Sequence, residues 1–400
     1  MENILLLTNI YPNNDPSYGG TKVCHFFTKE WIKMGYNVKV VHFDSLFPKP
    51  YYLIGKLFQK RIMAKTGCVA YTNTPTEIST YKVDDVDVTF VPLKKYLPHH
   101  NPSEKVISRA FEKVNSILKV EGFIPDVIVG HFPCPQLQLI HLFKKLYPKA
   151  RTGLVLHNAG ETIPMYYKNT YQEYMQSVEV WGFRSEAFKS GFENKFGRKE
   201  REFLCYSGIP EEYISSQKKI FKSAVKKFAF VGSLFELKRV DDSLHALAKA
   251  FPDKDFEFHI VGDGAEGPNL KELTKVLGIE KQVIFYGRLD RNAAQEVMES
   301  CDCYIMVSSR EAFGLVYVEA MAKGLITIAT KGQGMDGIIV HGQNGFLCES
   351  QNVDVLSTLL EHIKSLSCDD LNAISSKALV TASELTNPKV ATNYIREILQ

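Results

Sequence analysis

The strongest constraint on this chain is a repeated alternation in which a short, almost wholly apolar run is followed by a stretch with helical spacing and then by another apolar run. In the first half the runs are NILLLT (3–8), VKVVHF (38–43), VDVTFV (86–91), DVIVG (126–130), TGLVLH (152–157) and REFLCY (201–206). The second half carries FAFVGSL (228–234), FEFHIVG (256–262), QVIFYG (282–287), CYIMVS (303–308) and LITIAT (325–330). Strands this apolar, joined by crossovers of helical length, imply a parallel sheet covered by helices on both faces. Between the first two runs Val23, Phe26, Phe27, Trp31 and Met34 recur at helix spacing, and Gly35 closes the pattern. A lysine-rich stretch, SSQKKIFKSAVKK (215–227), separates the two series. At 400 residues the chain exceeds the size at which one core stops growing. The expected fold class is therefore α/β, with two Rossmann-like doubly wound domains facing each other across a cleft. The expected boundaries are 1–212, 213–385 and a terminal segment, 386–400.

The charge balance narrows the function. With 48 basic and 45 acidic residues the formal net charge is +3, which argues against a simple basic nucleic-acid binder. The start, MENILLLTNIYP, has no basic leader and too short an apolar run for a signal peptide, and no later segment reaches the ~18 apolar residues of a membrane span. A cytosolic protein is expected. The eight cysteines are scattered, and neither a CxxC nor an HExxH spacing occurs, so no metal site or cofactor is expected.

In open parallel sheets ligands bind beyond the carboxyl ends of the strands. After the first strand come Gly19 and Gly20 before a helix, where backbone amides can approach an anion, although a plain turn has the same pattern. After FAFVGSL, Lys238 and Arg239 stand at the start of the next helix. Cations are unfavourable there, which suggests an offsetting anion; the alternative is two solvated charges. Gly262 and Gly287-Arg288 end the next two strands and suit a ligand loop or an ordinary turn.

The segment SREAFGLVYVEAMAKG (309–324) holds Glu311 and Glu319 in or beside a stretch otherwise apolar on every side. A buried carboxylate requires hydrogen-bond donors. A phosphate over this helix mouth would be met by the amides of Phe313, Gly314 and Leu315 and by Lys238, whereas carboxylates repel phosphate and accept from neutral hydroxyls. A diphosphate flanked by two hydroxylated rings satisfies both demands, with Glu319 on a ribose and Glu311 on a second sugar. Such a ligand is a nucleotide-sugar.

At these residues the chain resembles glycosyltransferase family 4, retaining enzymes of the GT-B fold. EAFGLVYVE (311–319) is similar to the family's E-x7-E signature, and FVGSLFELK to its phosphate-binding strand and lysine, with Lys238 in the lysine position. GDGAEGPNL, YGRL and Cys301-Asp302 are similar to its nucleotide-domain landmarks; Gly19-Gly20, HFPCP (131–135) and His157 are similar to N-domain features. Two departures stand out: Ser233 replaces a usual arginine, for which Arg239 is the nearest substitute, and GQGMDG (332–337) replaces G-G-x-P-E. The resemblance implies metal-independent, retaining transfer of a hexose or N-acetylhexosamine from a nucleotide diphosphate sugar, UDP-sugar favoured over GDP-mannose, to an acceptor hydroxyl. Glu311, Lys238 and His157 would be catalytic, His157 having the alternative of a cleft-lining or core role. Polysaccharide or lipopolysaccharide synthesis, with a saccharide or lipid-linked saccharide as acceptor, is the expected setting. The alternatives are a sugar-nucleotide epimerase or a non-catalytic nucleotide-sugar-binding protein of the same fold. The segment 386–400 looks like the terminal helix that crosses back to the first domain.

One stretch stands outside the donor chemistry. SLFPKPYYLIGKLFQKRIMAKTG (45–67) interleaves Lys49, Lys56, Lys60, Arg61 and Lys65 with apolar residues at helical spacing. It is read either as a helix packed on its own domain or as one lying on an anionic membrane, which would make the protein peripheral on the inner face of the cell membrane.

Overall fold

The computed structural model describes residues 2–12, 22–66, 74–96 and 100–400. The chain divides into two compact units, the first comprising Met1–Gln59, Val69–Gly208 and Asn387–Gln400, the second Lys60–Cys68 and Ile209–Thr386.

The first unit is built on β1 (Asn3–Thr8), α1 (Val23–Lys33), β2 (Asn37–Leu46), α2 (Lys49–Thr66, grouped with this unit only as far as Gln59), β3 (Ser79–Val83), β4 (Val86–Lys94), α3 (Glu104–Val120), β5 (Val127–His131), α4 (Gln136–Leu146), β6 (Arg151–Leu156), α5 (Thr162–Tyr167), α6 (Tyr171–Met175), β7 (Val180–Phe183), α7 (Glu186–Phe196) and β8 (Glu202–Leu204). Its sheet runs in the order β3-β4-β2-β1-β5-β6-β7-β8. All neighbours are parallel except β3, which pairs antiparallel with β4 at the edge. The sequence expectation omitted β3 and β7. Four of the five residues of β3 (STYKV) are polar or aromatic-polar, as suits an exposed edge, and β7 has only four residues, too few to show a period. Leu5, Leu7, Val41, Ile128 and Leu154 lie wholly or almost wholly buried between the helical layers.

The second unit contains β9 (Lys227–Val231), α8 (Val240–Ala250), β10 (Glu257–Val261), α9 (Gly267–Val276), β11 (Val283–Gly287), α10 (Arg291–Glu299), β12 (Cys303–Ile305), α11 (Leu315–Ala322), β13 (Ile326–Thr330), β14 (Phe346–Cys348), α12 (Val353–Ser365) and α13 (Cys368–Ser383). Its six strands, ordered β11-β10-β9-β12-β13-β14, are all parallel. The order reverses direction beside β9, so the segments leaving β9 and β12 emerge next to one another. This juxtaposition positions the candidate site.

The last helix, α14 (Asn387–Leu399), belongs to the first unit. Trp31 Nε1 donates to the Ala391 carbonyl at 3.1 Å, and Tyr394 meets Phe27 edge-on at 5.1 Å. Gly153 in β6 leaves room for this helix, because a Cβ there would lie 2.5 Å from Ile398 Cδ1. The fold is α/β, with one sheet in each unit, as the alternation in the sequence predicts.

Candidate active site

The turn after β9 delivers Lys238. Leu234 is buried and its backbone is clasped on both sides, its N–H donating to the Asp263 carbonyl and its carbonyl accepting from the Glu266 N–H, each at 3.0 Å. Such proximity requires glycine opposite. A Cβ on Gly262 (φ +144°) would sit 1.8 Å from the Gly232 carbonyl oxygen, and one on Gly264 would sit 2.3 Å from that of Leu234. Gly262, expected to line a ligand, thus lets two backbone loops touch. Ser233 is exposed in the same turn.

Lys238 ends a short 3-10 turn, Glu236–Lys238, rather than opening α8 as expected. Arg239 follows in the left-handed region (φ 51°, ψ 42°) and caps α8. In this structure it is held by two carboxylates. Its Nε and Nη2 donate to the two carboxylate oxygens of Asp242 at 3.0 and 2.7 Å, and Nη2 lies 3.1 Å from Asp241. These aspartates occupy the first turn of α8, where the helix dipole favours them, and they draw the guanidinium away from any external anion.

The segment after β12 meets this turn directly. Ser309 N–H donates to the Leu237 carbonyl at 2.9 Å, placing the next residues under Lys238. Glu311 N–H donates to Gln333 Oε1 at 3.0 Å, and the Glu311 carbonyl accepts from Gly334 N–H at 3.0 Å, so the loop after β13 holds Glu311 from the other side. Lys238 Nζ then donates to Glu311 Oε2 at 2.6 Å. In this structure the partner of Glu311 is therefore the lysine itself.

Gly314 caps α11 with φ +81°, and a Cβ there would lie 2.5 Å from the Tyr317 ring. Phe313 is buried, Leu315 is the first residue of the helix, and Tyr317 donates to the Met306 carbonyl at 2.7 Å. Glu319 sits one turn deeper, with 11% of its side chain exposed. Its two oxygens accept from Arg291 Nη2 and Gln295 Nε2, each at 3.0 Å. The donors that a buried carboxylate demands therefore come from α10, one helical turn apart. Sequence reading missed both; the available signal was an arginine and a glutamine at i and i+4 beside an apolar face. Arg291 also lies over the Tyr213 ring, 5.1 Å from its centroid.

The remaining candidates fall elsewhere. Arg288 is exposed just after β11. Gly19 and Gly20 lie outside the described residues. Among the described residues no group of three His, Cys, Asp or Glu side chains is placed to hold a metal ion.

His157 follows β6 in the first unit. Its Nε2 is hydrogen-bonded to His131 Nδ1 at 3.0 Å, and the Phe132 ring stacks on it with centroids 4.0 Å apart. His131 is fully buried and reaches Tyr394 on α14 at 3.3 Å. Burial pushes the His131 imidazole down to about 3 and that of His157 well below its ordinary value, with the Arg184 guanidinium adding to both. Both rings are neutral at neutral pH, so His157 can hold a ligand hydroxyl without carrying positive charge.

Residues 213–379 match the family model for glycosyl transferases group 1. N-acetyl-alpha-D-glucosaminyl L-malate synthase of Bacillus anthracis is 39% identical over 119 residues, 30% of this chain and 31% of that protein. An uncharacterised glycosyltransferase of Haemophilus influenzae is 39% identical over 140 residues, 34% and 38% of the two chains. The chain thus spans about a third of the length of these curated relatives. Whole-chain likeness is to solved structures: a glycosyltransferase from Rickettsia africae (TM-score 0.69, 16% identity, 100% of this chain and 99% of that one) and Anabaena HepE in complex with UDP (0.66, 17%, 99% of each). The second unit therefore carries a domain of the glycosyl transferases group 1 type, and Lys238, Glu311, Glu319, Arg291 and Gln295 all lie within it.

Proposed function

We propose that this protein transfers a hexose or N-acetylhexosamine from a nucleotide diphosphate sugar, UDP-sugar before GDP-mannose, to a hydroxyl of a saccharide or lipid-linked saccharide, with retention and without a metal. The observation that carries the reading is the Lys238–Glu311 pair at the mouth of α11, a cation and a carboxylate 2.6 Å apart where the loops after β9, β12 and β13 converge. On donor binding Lys238 would turn to the diphosphate, joined by the N-terminal amides of α11, and Glu311 would accept from hydroxyls of the transferred sugar. Glu319, with Arg291 and Gln295 fixing its carboxylate, would take the ribose diol. As the glycosidic bond breaks, negative charge grows on the leaving diphosphate, and a preorganised cation and helix dipole stabilise that charge more than the ground state. His157, in the first unit, offers a neutral hydrogen-bonding group. Polysaccharide or lipopolysaccharide synthesis is the setting proposed. The UDP donor is supported by the UDP in the HepE structures, and a hexose or N-acetylhexosamine as the sugar by the glucose in one of them and by the N-acetyl-glucosaminyl group in the name of the Bacillus relative.

Thermal shift with UDP, GDP, ADP and CDP, followed by incubation with the matching labelled nucleotide-sugars, tests the proposal. A ligand at 100 times its Kd adds about 2.7 kcal/mol. Stabilisation by UDP and release of UDP from a UDP-sugar are expected. No stabilisation by any nucleotide would overturn the donor assignment.

A further inference from the structure

We infer that Tyr394 and His131 fix the proton of His157 on Nδ1, so that the terminal helix α14 makes His157 a hydrogen-bond donor toward its ligand rather than a base. His131 ends β5 and His157 follows β6; these neighbouring parallel strands set His131 against Val155, which brings the two rings together. Phe132 takes φ +72°, uncommon for a residue with a side chain. Its N–H donates to the Val155 carbonyl at 3.0 Å, and its ring stacks on His157. The His157 ring is half-buried and points Nε2 at His131 Nδ1, 3.0 Å away. The nitrogen left for a ligand is Nδ1.

The direction of the relay follows from the buried hydroxyl at its far end. Tyr394 Oη and His131 Nε2 are 3.3 Å apart, and Tyr394 is 1% and His131 0% exposed. Phe27, Trp31 and Phe203 surround the Tyr394 ring with centroids 5.0 to 5.3 Å away. A hydroxyl enclosed by such rings either gives its proton to a hydrogen bond or carries an unmet donor into the core. Arg184, whose charge acts on both imidazoles, cannot receive it: a guanidinium has donors only, and this one donates to the Cys205 carbonyl and to Ser207 Oγ. The nearby Cys24 and Cys205 sulfurs are weak acceptors. His131 Nε2 is therefore the acceptor. A neutral imidazole has one N–H, so His131 carries it on Nδ1 and donates to His157 Nε2, and His157 then carries its own on Nδ1. The reverse relay, with both rings protonated at Nε2, leaves the Tyr394 proton without a good acceptor. Burial keeps both rings neutral, so neither supplies a second proton. Tyr394 and His131 are positioning residues. The relay belongs to the first unit alone; its consequence for catalysis rests on the transferase reading, in which Nδ1–H would donate to an oxygen of the transferred sugar.

Proton–nitrogen NMR of the full chain labelled at histidine, with the His157 signal identified by its loss in His157→Asn, reads at neutral pH which nitrogen carries the proton. The wild type is expected to show His131 and His157 both as Nδ1–H. Tyr394→Phe removes the hydroxyl and keeps the ring, so His157 should then show both tautomers; His131→Leu, which removes the donor to Nε2, should have the same effect. In each variant kcat for transfer should fall about tenfold, as for loss of one neutral hydrogen bond, while the Kd for UDP, which has no sugar, stays unchanged. His157 protonated at Nε2 in the wild type, or a tautomer unchanged in both variants, would overturn the inference. Unchanged kcat in a variant whose tautomer has moved would overturn its catalytic part. A wild type inactive with every nucleotide-sugar would instead overturn the transferase reading, and the tautomer would still be read.

Discussion

Lys238 donates to Glu311 at 2.6 Å although 73 residues separate them, and the hydrogen bond from the Ser309 N–H to the Leu237 carbonyl brings the two segments together. The pair is partly exposed, with 25% and 16% of the side chains accessible, so its own contribution to stability is small. Its consequence in the proposed reaction is chemical: each partner is held where a donor would need it.

Lys238→Ala should lower the transfer rate by on the order of 10²-fold or more, as for loss of one preorganised donor. Glu311→Gln should leave the Kd for UDP nearly unchanged and slow transfer, because the proposed contact is to the sugar. EDTA should leave wild-type turnover nearly unaltered. Steady-state kinetics and calorimetry check all three; loss of activity in EDTA with recovery in manganese would refute the metal-free mechanism.

Glu319 provides a second test in which binding and stability separate. Glu319→Gln should weaken UDP binding, since a neutral amide replaces the acceptor proposed for the ribose. Gln295→Leu leaves one oxygen of a largely buried carboxylate with no side-chain donor from α10 and should cost about 1–3 kcal/mol of stability. Denaturant unfolding of each variant, with calorimetry on UDP, reports the two effects. Unchanged nucleotide affinity in a folded Glu319→Gln protein would remove Glu319 from the site.

Gly262→Ala should destabilise the second unit by more than left-handed strain alone, because its Cβ would lie 1.8 Å from the Gly232 carbonyl. Gly342→Ala is the control: φ is +77°, but nothing lies within 4 Å of the added carbon, so about 1–2 kcal/mol of strain is expected. A Tm loss for Gly262→Ala no larger than for the control would contradict the close approach of the two loops.

The buried histidines predict an acid-sensitive first unit. His131 titrates at about 3, His42 at about 4 and His157 well below its ordinary value, in each case because burial disfavours the charged ring. Unfolded histidines bind protons near pH 6.5, so between there and the folded values the unfolded state holds more protons. Stability is then complete above about pH 6.5 and declines as pH falls, at up to about 1.4 kcal/mol per pH unit for each ring. Urea unfolding from pH 7.5 to 4.5 measures this slope. The imidazole NMR signals of His131 should not titrate above pH 5 and those of His157 should titrate well below 6.5, and a His157 midpoint near 6.5 would contradict the neutral assignment.

The sequence by itself determined the two parallel sheets, since apolar strands such as NILLLT and FAFVG can be covered only by helices on both faces. It also determined that Glu311 and Glu319 need donors, because burial costs follow from the neighbours in the chain, but it left Lys238 between an offsetting anion and a solvated charge. It determined the amphipathic character of residues 45–67, but not which side faces out. The tertiary structure decided the partners. Arg291 and Gln295 reach Glu319 because α10 packs beside α11, and Arg239, in the left-handed region, pairs with Asp242 in the first turn of α8. It decided that Gly262 serves loop packing and that the apolar stripe of α2 points outward, with Tyr51 and Tyr52 on the inner side. Periodicity along a chain specifies faces and burial, whereas partners 24 and 73 residues apart are chosen by strand order, through the few loops that the sheet brings to one edge.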